Sequence, residues 1–289
     1  MLLRLFGWWT RLMLRLRGVQ RETWRCADFD VRLYRHGKPA EEPWLLLHGL
    51  GSTALSWGST ISALHQDCRL WVPELSALGG TTGPNPGMNV RQATAAMVAL
   101  IEERSPGQPV TVCGISLGGW VAVRLALDHP ELVARLVLIN CAGLVTLDWP
   151  SIEQLIRVRD VRGVERLYGA LFRRVPLPLR YSKRGFLAAY TSPAVEHILA
   201  TLSEKDAFSE EDLGRVRCPT ALIWGEHDGL FPLAAGKRMA QAIPGSSLTV
   251  ISDAAHGVHW ELPRRMNAAI EAFRQAHPLS PGRANPTRH

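Results

Sequence analysis

An α/β fold with a mainly parallel sheet is predicted by three features of the sequence. Short, continuously apolar runs stop abruptly at glycine or a polar residue, as strands buried on both faces do. Amphipathic segments alternate with them, which implies right-handed crossovers. At 289 residues, 46% hydrophobic, the chain can bury one large domain with a sizeable insertion.

The first segment, MLLRLFGWWTRLMLRLRGVQ, is too broken by Arg4, Arg11, Arg15 and Arg17 to read as a membrane span, and no small-residue cleavage site follows it. At about 100° per residue, Arg4, Arg11 and Arg15 share one helical face. Leu2, Leu5, Phe6, Trp9, Leu12, Met13 and Leu16 lie largely on the other. Residues 1–22 therefore form a basic amphipathic helix, for which two placements stand open: residues 1–17 in the plane of an anionic bilayer surface, or the helix packed on protein.

From Trp24 to His36 the pattern suggests a strand pair, and Trp44 to His48, after Pro43, a buried strand. A helix over Leu55–His65 and a strand over Arg69–Pro73 follow. The glycine- and proline-rich stretch from Leu78 to Gly87 is a break. Val90–Glu103 reads as a helix, Pro109–Cys113 as a strand, Leu117–Asp128 as a helix and Val133–Asn140 as a strand. The alternation stops over 143–217, which carries helical patterns and clustered arginines. It resumes with a strand at Thr220–Gly225, a helix at Leu233–Ile243, a strand at Ser247–Ser252 and a closing helix at Leu262–Ala276. The core thus comprises residues 23–142 and 218–276, with a helical insertion over 143–217 and a disordered tail over 277–289.

The net charge of +7 comes mainly from arginine and raises the question of a polyanionic partner. No zinc-finger spacing, RNA-recognition signature or basic-aromatic run accompanies it, so nucleic acid is not the expected partner. Five cysteines, odd in number and never in a C-x-x-C pair, fit neither a disulfide framework nor a zinc site. Free thiols in a cytoplasmic protein are the simpler expectation, with peripheral membrane association through the first helix as its extension.

Gly114-Ile115-Ser116-Leu117-Gly118-Gly119 stands between an apolar strand and an amphipathic helix, the G-x-S-x-G pattern of a nucleophile elbow. A serine on so tight a turn is strained, and glycines two residues to either side remove the Cβ atoms that would collide. A hydroxyl needs a base, and the base needs a carboxylate to hold its tautomer. Asp228 follows the strand ending at Gly225, and His256 follows the last strand, both at carboxyl ends where an open α/β sheet builds its site. The rivals are weaker: His259 lies at a helix entry, His227 directly precedes the acid, and His48 belongs to another loop. For the acid, Asp148 after the sixth strand is a rival, as is Asp253, which is too close to His256 in sequence for an easy side-on hydrogen bond.

With these motifs in the order Ser, Asp, His, the sequence resembles the α/β-hydrolase family from about Trp24 to Ala276. His48-Gly49-Leu50-Gly51-Ser52 is similar to that family's oxyanion-hole loop, and His256-Gly257-Val258-His259-Trp260-Glu261-Leu262-Pro263 to its histidine segment. The resemblance implies an eight-stranded sheet, a helical cap and an oxyanion hole made of the Leu50 and Leu117 amides. One departure is Pro73-Glu74-Leu75-Ser76-Ala77-Leu78-Gly79, where relatives often read Asp-Leu-Pro-Gly-x-Gly. A serine at 116 argues against the relatives built on an aspartate nucleophile.

The expectation is a serine esterase or lipase, free of metal or organic cofactor, cleaving a medium-chain acyl ester or a monoacylglycerol-like lipid. Trp57 and Trp120 are candidate substrate-binding residues. A hydrolase of carbon–carbon bonds in a vinylogous diketone acid is the alternative enzyme, its carboxylate held by cap arginines such as Arg157, Arg166 or Arg180. A non-catalytic receptor on the same fold is the alternative of a different class; an intact triad argues against it.

Overall fold

The computed structural model describes residues 2–279, and most of the predicted tail lies outside the described residues. Along the chain, α1 (Leu2–Leu16) leads into β1 (Gln20–Cys26), β2 (Phe29–His36) and β3 (Glu42–Leu47). Then come α2 (Gly58–Leu64), β4 (Cys68–Pro73), α3 (Val90–Arg104), β5 (Val110–Ile115), α4 (Leu117–Asp128) and β6 (Val133–Ile139). Between β6 and the next strand lie α5 (Trp149–Ile156), α6 (Val161–Leu171), α7 (Leu177–Arg180), α8 (Lys183–Tyr190), α9 (Pro193–Thr201) and α10 (Glu210–Leu213). The chain closes with β7 (Thr220–Gly225), α11 (Leu233–Ala242), β8 (Ser247–Ile251), α12 (Val258–Glu261) and α13 (Pro263–Ala276).

The eight strands form one sheet in the order β1-β2-β4-β3-β5-β6-β7-β8. The two pairings made by β2 are antiparallel and the other five are parallel. The order reverses between β3 and β5, which pair with Leu47 beside Gly114. At such a switch point the loops leaving two adjacent strands diverge and open a crevice, so the loop after β3 and the turn after β5 meet there.

The strands are apolar on both sides because both faces are covered. One face buries Leu45, Leu47, Val112, Leu136, Leu138, Leu222 and Trp224 with α3, α4 and the insertion. The other buries Trp44, Leu46, Cys113, Val137, Ile139 and Ile223 under α2 and α13. Full burial of each such side chain is worth about 1.5–3 kcal/mol against leaving it exposed. Arg135, fully buried on β6, is held by the Thr111 hydroxyl, the carbonyls of Arg274 and His277 and an ion pair with Glu42. It ties β6, β5 and β3 to the end of α13.

The first helix ends earlier than expected. Residues 20–22, assigned from sequence to the arm, belong to edge strand β1, whose polar composition (QRETWRC) carries no strand alternation. The helix packs on the body through Thr10 and Leu14, while Leu5, Trp8, Trp9, Leu12 and Leu16 face outward. No helix among the described residues is long and apolar enough to cross a membrane.

Candidate active site

Ser116 sits between β5 and α4 at φ 54° and ψ −120°, a conformation that costs a non-glycine residue about 1–3 kcal/mol. Its backbone is clamped on three sides: the amide donates to Ile139 O at 3.0 Å, and the carbonyl accepts from Trp120 N and Ala142 N. The flanking glycines are required by space. A Cβ at Gly114 would stand 2.3 Å from Gly118 O, and one at Gly118 would stand 2.2 Å from Leu47 O.

The loops after β7 and β8 bring Asp228 and His256 together. His256 Nδ1 donates to Asp228 Oδ2 at 2.8 Å, with the carboxylate fully buried. The other oxygen, Oδ1, accepts from the amides of Leu230 and Phe231, so the acid is oriented from both sides. Phe231 stands edge-on to the imidazole at 5.1 Å. With Nδ1 engaged, Nε2 is the nitrogen left to act as a base. His256 and Ser116 line the same cavity, of about 380 Å³.

The rival histidines are occupied or neutral. His48 Nδ1 contacts Gly49 O at 3.0 Å while its Nε2 accepts from Leu75 N, and burial pushes its pKa down to about 4. Burial, helped by nearby His256, lowers His259 to about 3. His227 is paired outward with Glu226, and Asp148 caps α5 by accepting from Ser151 N.

Leu50 and Leu117 lie beside Ser116 on the walls of a second, apolar cavity of about 150 Å³. Leu117 is the first residue of α4, where an amide has no intrahelical partner and the helix dipole favours negative charge. No acceptor takes the Leu50 amide among the described residues. Trp120 lines this cavity, with Trp149 and Phe231. Trp57, the other candidate pocket residue, does not: it is fully buried in the core under α2 and lines neither cavity. Position before a helix does not tell which way an indole turns. The cap arginines are likewise absent from both linings; the arginine that reaches the larger cavity is Arg11 of α1.

Two positioning residues escaped the sequence. Asn140, buried at φ 41°, donates to His256 O and Ala255 O while its oxygen accepts from Gly225 N, stitching the ends of β6 and β7 to the histidine loop. Asn at a strand end with no motif around it gives no signal. Glu261 accepts from Ala255 N and from Arg174 N, linking the histidine loop to the insertion. Two further bonds reach the insertion, one from each loop: Gly229 N, beside Asp228, to Ala170 O, and Gly257 N, beside His256, to Leu171 O.

Glu74 accounts for the unusual 73–79 segment. It is buried 3.5 Å from His48, accepts from Ala54 N and so pins the loop that carries Leu50. Burial raises its carboxyl from 4.5 to about 8. Between those pH values the folded protein holds a proton that the unfolded chain has lost, so unfolding releases it. Stability accordingly falls as pH rises through the window and levels off above it. Glu74→Gln removes this slope while keeping an acceptor. Relative to wild type, its Tm should improve by on the order of 5 °C or more between pH 5 and pH 9, read by thermal denaturation at both. A constant difference would mean that Glu74 is ionised in the folded protein.

A strained serine after a central strand, with a buried Asp–His pair delivered by later strands, defines an α/β enzyme of the hydrolase type. The chain belongs to the alpha/beta hydrolase family, whose model matches residues 44–269. It is 23% identical to the monoacylglycerol lipase ABHD6 of Bos taurus, over 94% of this chain and 86% of that one. Among solved structures it superposes with TM-score 0.81 on a membrane phospholipase A described as a bacterial virulence factor, at 23% identity over 96% and 93% of the two chains. A meta-cleavage product hydrolase matches with TM-score 0.76 at 21% identity, over 88% and 98%.

Proposed function

We propose that the protein is a carboxylic-ester hydrolase acting on a lipid ester of the monoacylglycerol kind through an acyl-enzyme on Ser116. The observation that carries this reading is the buried Asp228–His256 hydrogen bond in a loop that lines one apolar cavity with the elbow serine. Similarity to a monoacylglycerol lipase supports the substrate class.

In the acylation step the Ser116 hydroxyl oxygen attacks the ester carbonyl, and His256 Nε2 takes the hydroxyl proton. The carbonyl oxygen becomes an oxyanion facing the Leu50 and Leu117 amides, each worth about 2.7–4 kcal/mol in comparable sites. As the carbon–oxygen bond breaks, the imidazolium returns the proton to the leaving alcohol. Water then repeats the sequence on the acyl-enzyme, releasing the acid. The insertion between β6 and β7 acts as the cap that walls both cavities.

The leaving oxygen must lie beside His256, which lines the larger cavity and not the smaller, so the alcohol portion occupies the larger one. The acyl chain then enters the cavity closed by Trp120, Trp149 and Phe231. Trp149→Ala should lengthen the preferred acyl chain, with kcat/KM on a long p-nitrophenyl ester rising about tenfold relative to a short one. An unchanged profile would place the acyl chain elsewhere. The overall reading is tested by assaying wild type on graded p-nitrophenyl esters, a monoacylglycerol and a vinylogous diketone acid. Turnover of the esters is the expected result; turnover of the diketone acid alone would replace it with carbon–carbon hydrolysis.

A further inference from the structure

The outward face of α1 has no protein partner among the described residues. Leu5, Trp8, Trp9, Leu12 and Leu16 are 38–72% exposed and, at about 100° per residue, form one apolar stripe about 100° wide. Isolated exposed apolar side chains are ordinary, but a contiguous stripe of this kind marks a contact surface. Helix α7 packs against α1 and exposes Leu177 and, just beyond its end, Tyr181.

Exposed cations lie on the same elements. Arg11 and Arg15 run along one flank of the stripe, and Arg173, Arg174, Arg180 and Arg184 are exposed around α7 and the start of α8. None of these six forms a salt bridge among the described residues, in a chain of net charge +7. Tryptophans and leucines bordered by free arginines match a surface with an apolar interior and anionic groups at its boundary.

The same helix lines the Ser116 cavity. Phe6, Gly7 and Arg11 contribute to its wall, and Phe6 packs on Trp260 beside the histidine loop at 5.4 Å. Of the described residues lining that cavity, only Arg11 and Gly185 of α8 are exposed, which places its mouth between α1 and α8.

We infer that α1 and α7 together dock on an anionic lipid bilayer, and that the cavity opens at the edge of this docking face. An ester then passes from the bilayer to Ser116 between α1 and α8 without crossing bulk water. Arg11, at the mouth, receives the polar or anionic part of the lipid. The inference rests on the lipid-ester reading above and adds the partner surface and the route of entry.

The test uses the full chain and the variant Trp8→Ser/Trp9→Ser/Leu12→Ser, whose residues are exposed and line no part of the cavity. Both are sedimented with vesicles of phosphatidylcholine alone and of phosphatidylcholine with phosphatidylglycerol. Wild type should bind the anionic vesicles, less so as salt rises, with about a fivefold gain per engaged arginine. The variant should bind about tenfold or more weaker. Its hydrolysis of a vesicle-embedded monoacylglycerol should fall in parallel, while hydrolysis of p-nitrophenyl butyrate in solution stays at the wild-type rate. Equal binding by both proteins, or equal binding to neutral and anionic vesicles, would overturn the inference. So would a wild-type dimer that ignores vesicles and that the substitutions dissociate, which would make the stripe an interface between copies. Failure of the wild type on soluble esters, with vesicle binding intact, would sink the esterase reading and leave the docking face standing.

Discussion

Ser116→Ala should abolish ester hydrolysis, lowering kcat by on the order of 10⁵-fold or more while changing KM little. The substitution removes the oxygen that the proposed mechanism bonds to the acyl carbon, yet leaves the clamped backbone, both cavities and the Asp228–His256 pair in place. Alanine at φ 54° is no less strained than serine, so stability should change little. A fluorophosphonate probe should label wild type and not the variant. Retained labelling at a different residue would remove Ser116 as nucleophile, and retained turnover without labelling would point to water attacking the substrate directly.

Asp228→Asn should cost about 10⁴-fold in kcat with the fold intact. The oxygen that accepts from Leu230 and Phe231 can remain where it is, so the amide nitrogen replaces Oδ2 and faces His256 Nδ1. Two donors cannot face each other. The imidazole is thereby driven to carry its proton on Nε2, the wrong nitrogen for a base, and loses the charge that stabilises the imidazolium. The check is kcat against Tm for the variant. A loss of no more than about tenfold would show that Asp228 only packs.

Much of the frame was legible because the local patterns agree with one another. Strands β3, β5, β6 and β7 are short runs of apolar residues, and α4 and β7 fall where the sequence places them, at Leu117–Asp128 and Thr220–Gly225. The elbow was legible because steric demand writes glycine at 114 and 118. What escaped is set by long-range geometry. Edge strand β1 gains its order from pairing with β2, so nothing in its own composition marks it. Asn140 matters through atoms more than a hundred positions away. Trp57 and Trp120 look alike in sequence, and only the packing of α2 and α4 sends one into the core and the other to a cavity wall.

The amides of Gly229 and Gly257 donate to Ala170 and Leu171, consecutive carbonyls at the end of α6. One turn of one helix therefore gauges the separation of the acid loop from the base loop. Lifting that helix as a lid would break both bonds and unseat acid and base together. Any opening that admits substrate and keeps acid and base seated therefore has to spare the last turn of α6. Substitution of Ala170, which lines neither cavity, should be felt in kcat rather than in KM, measured as a split between the two constants.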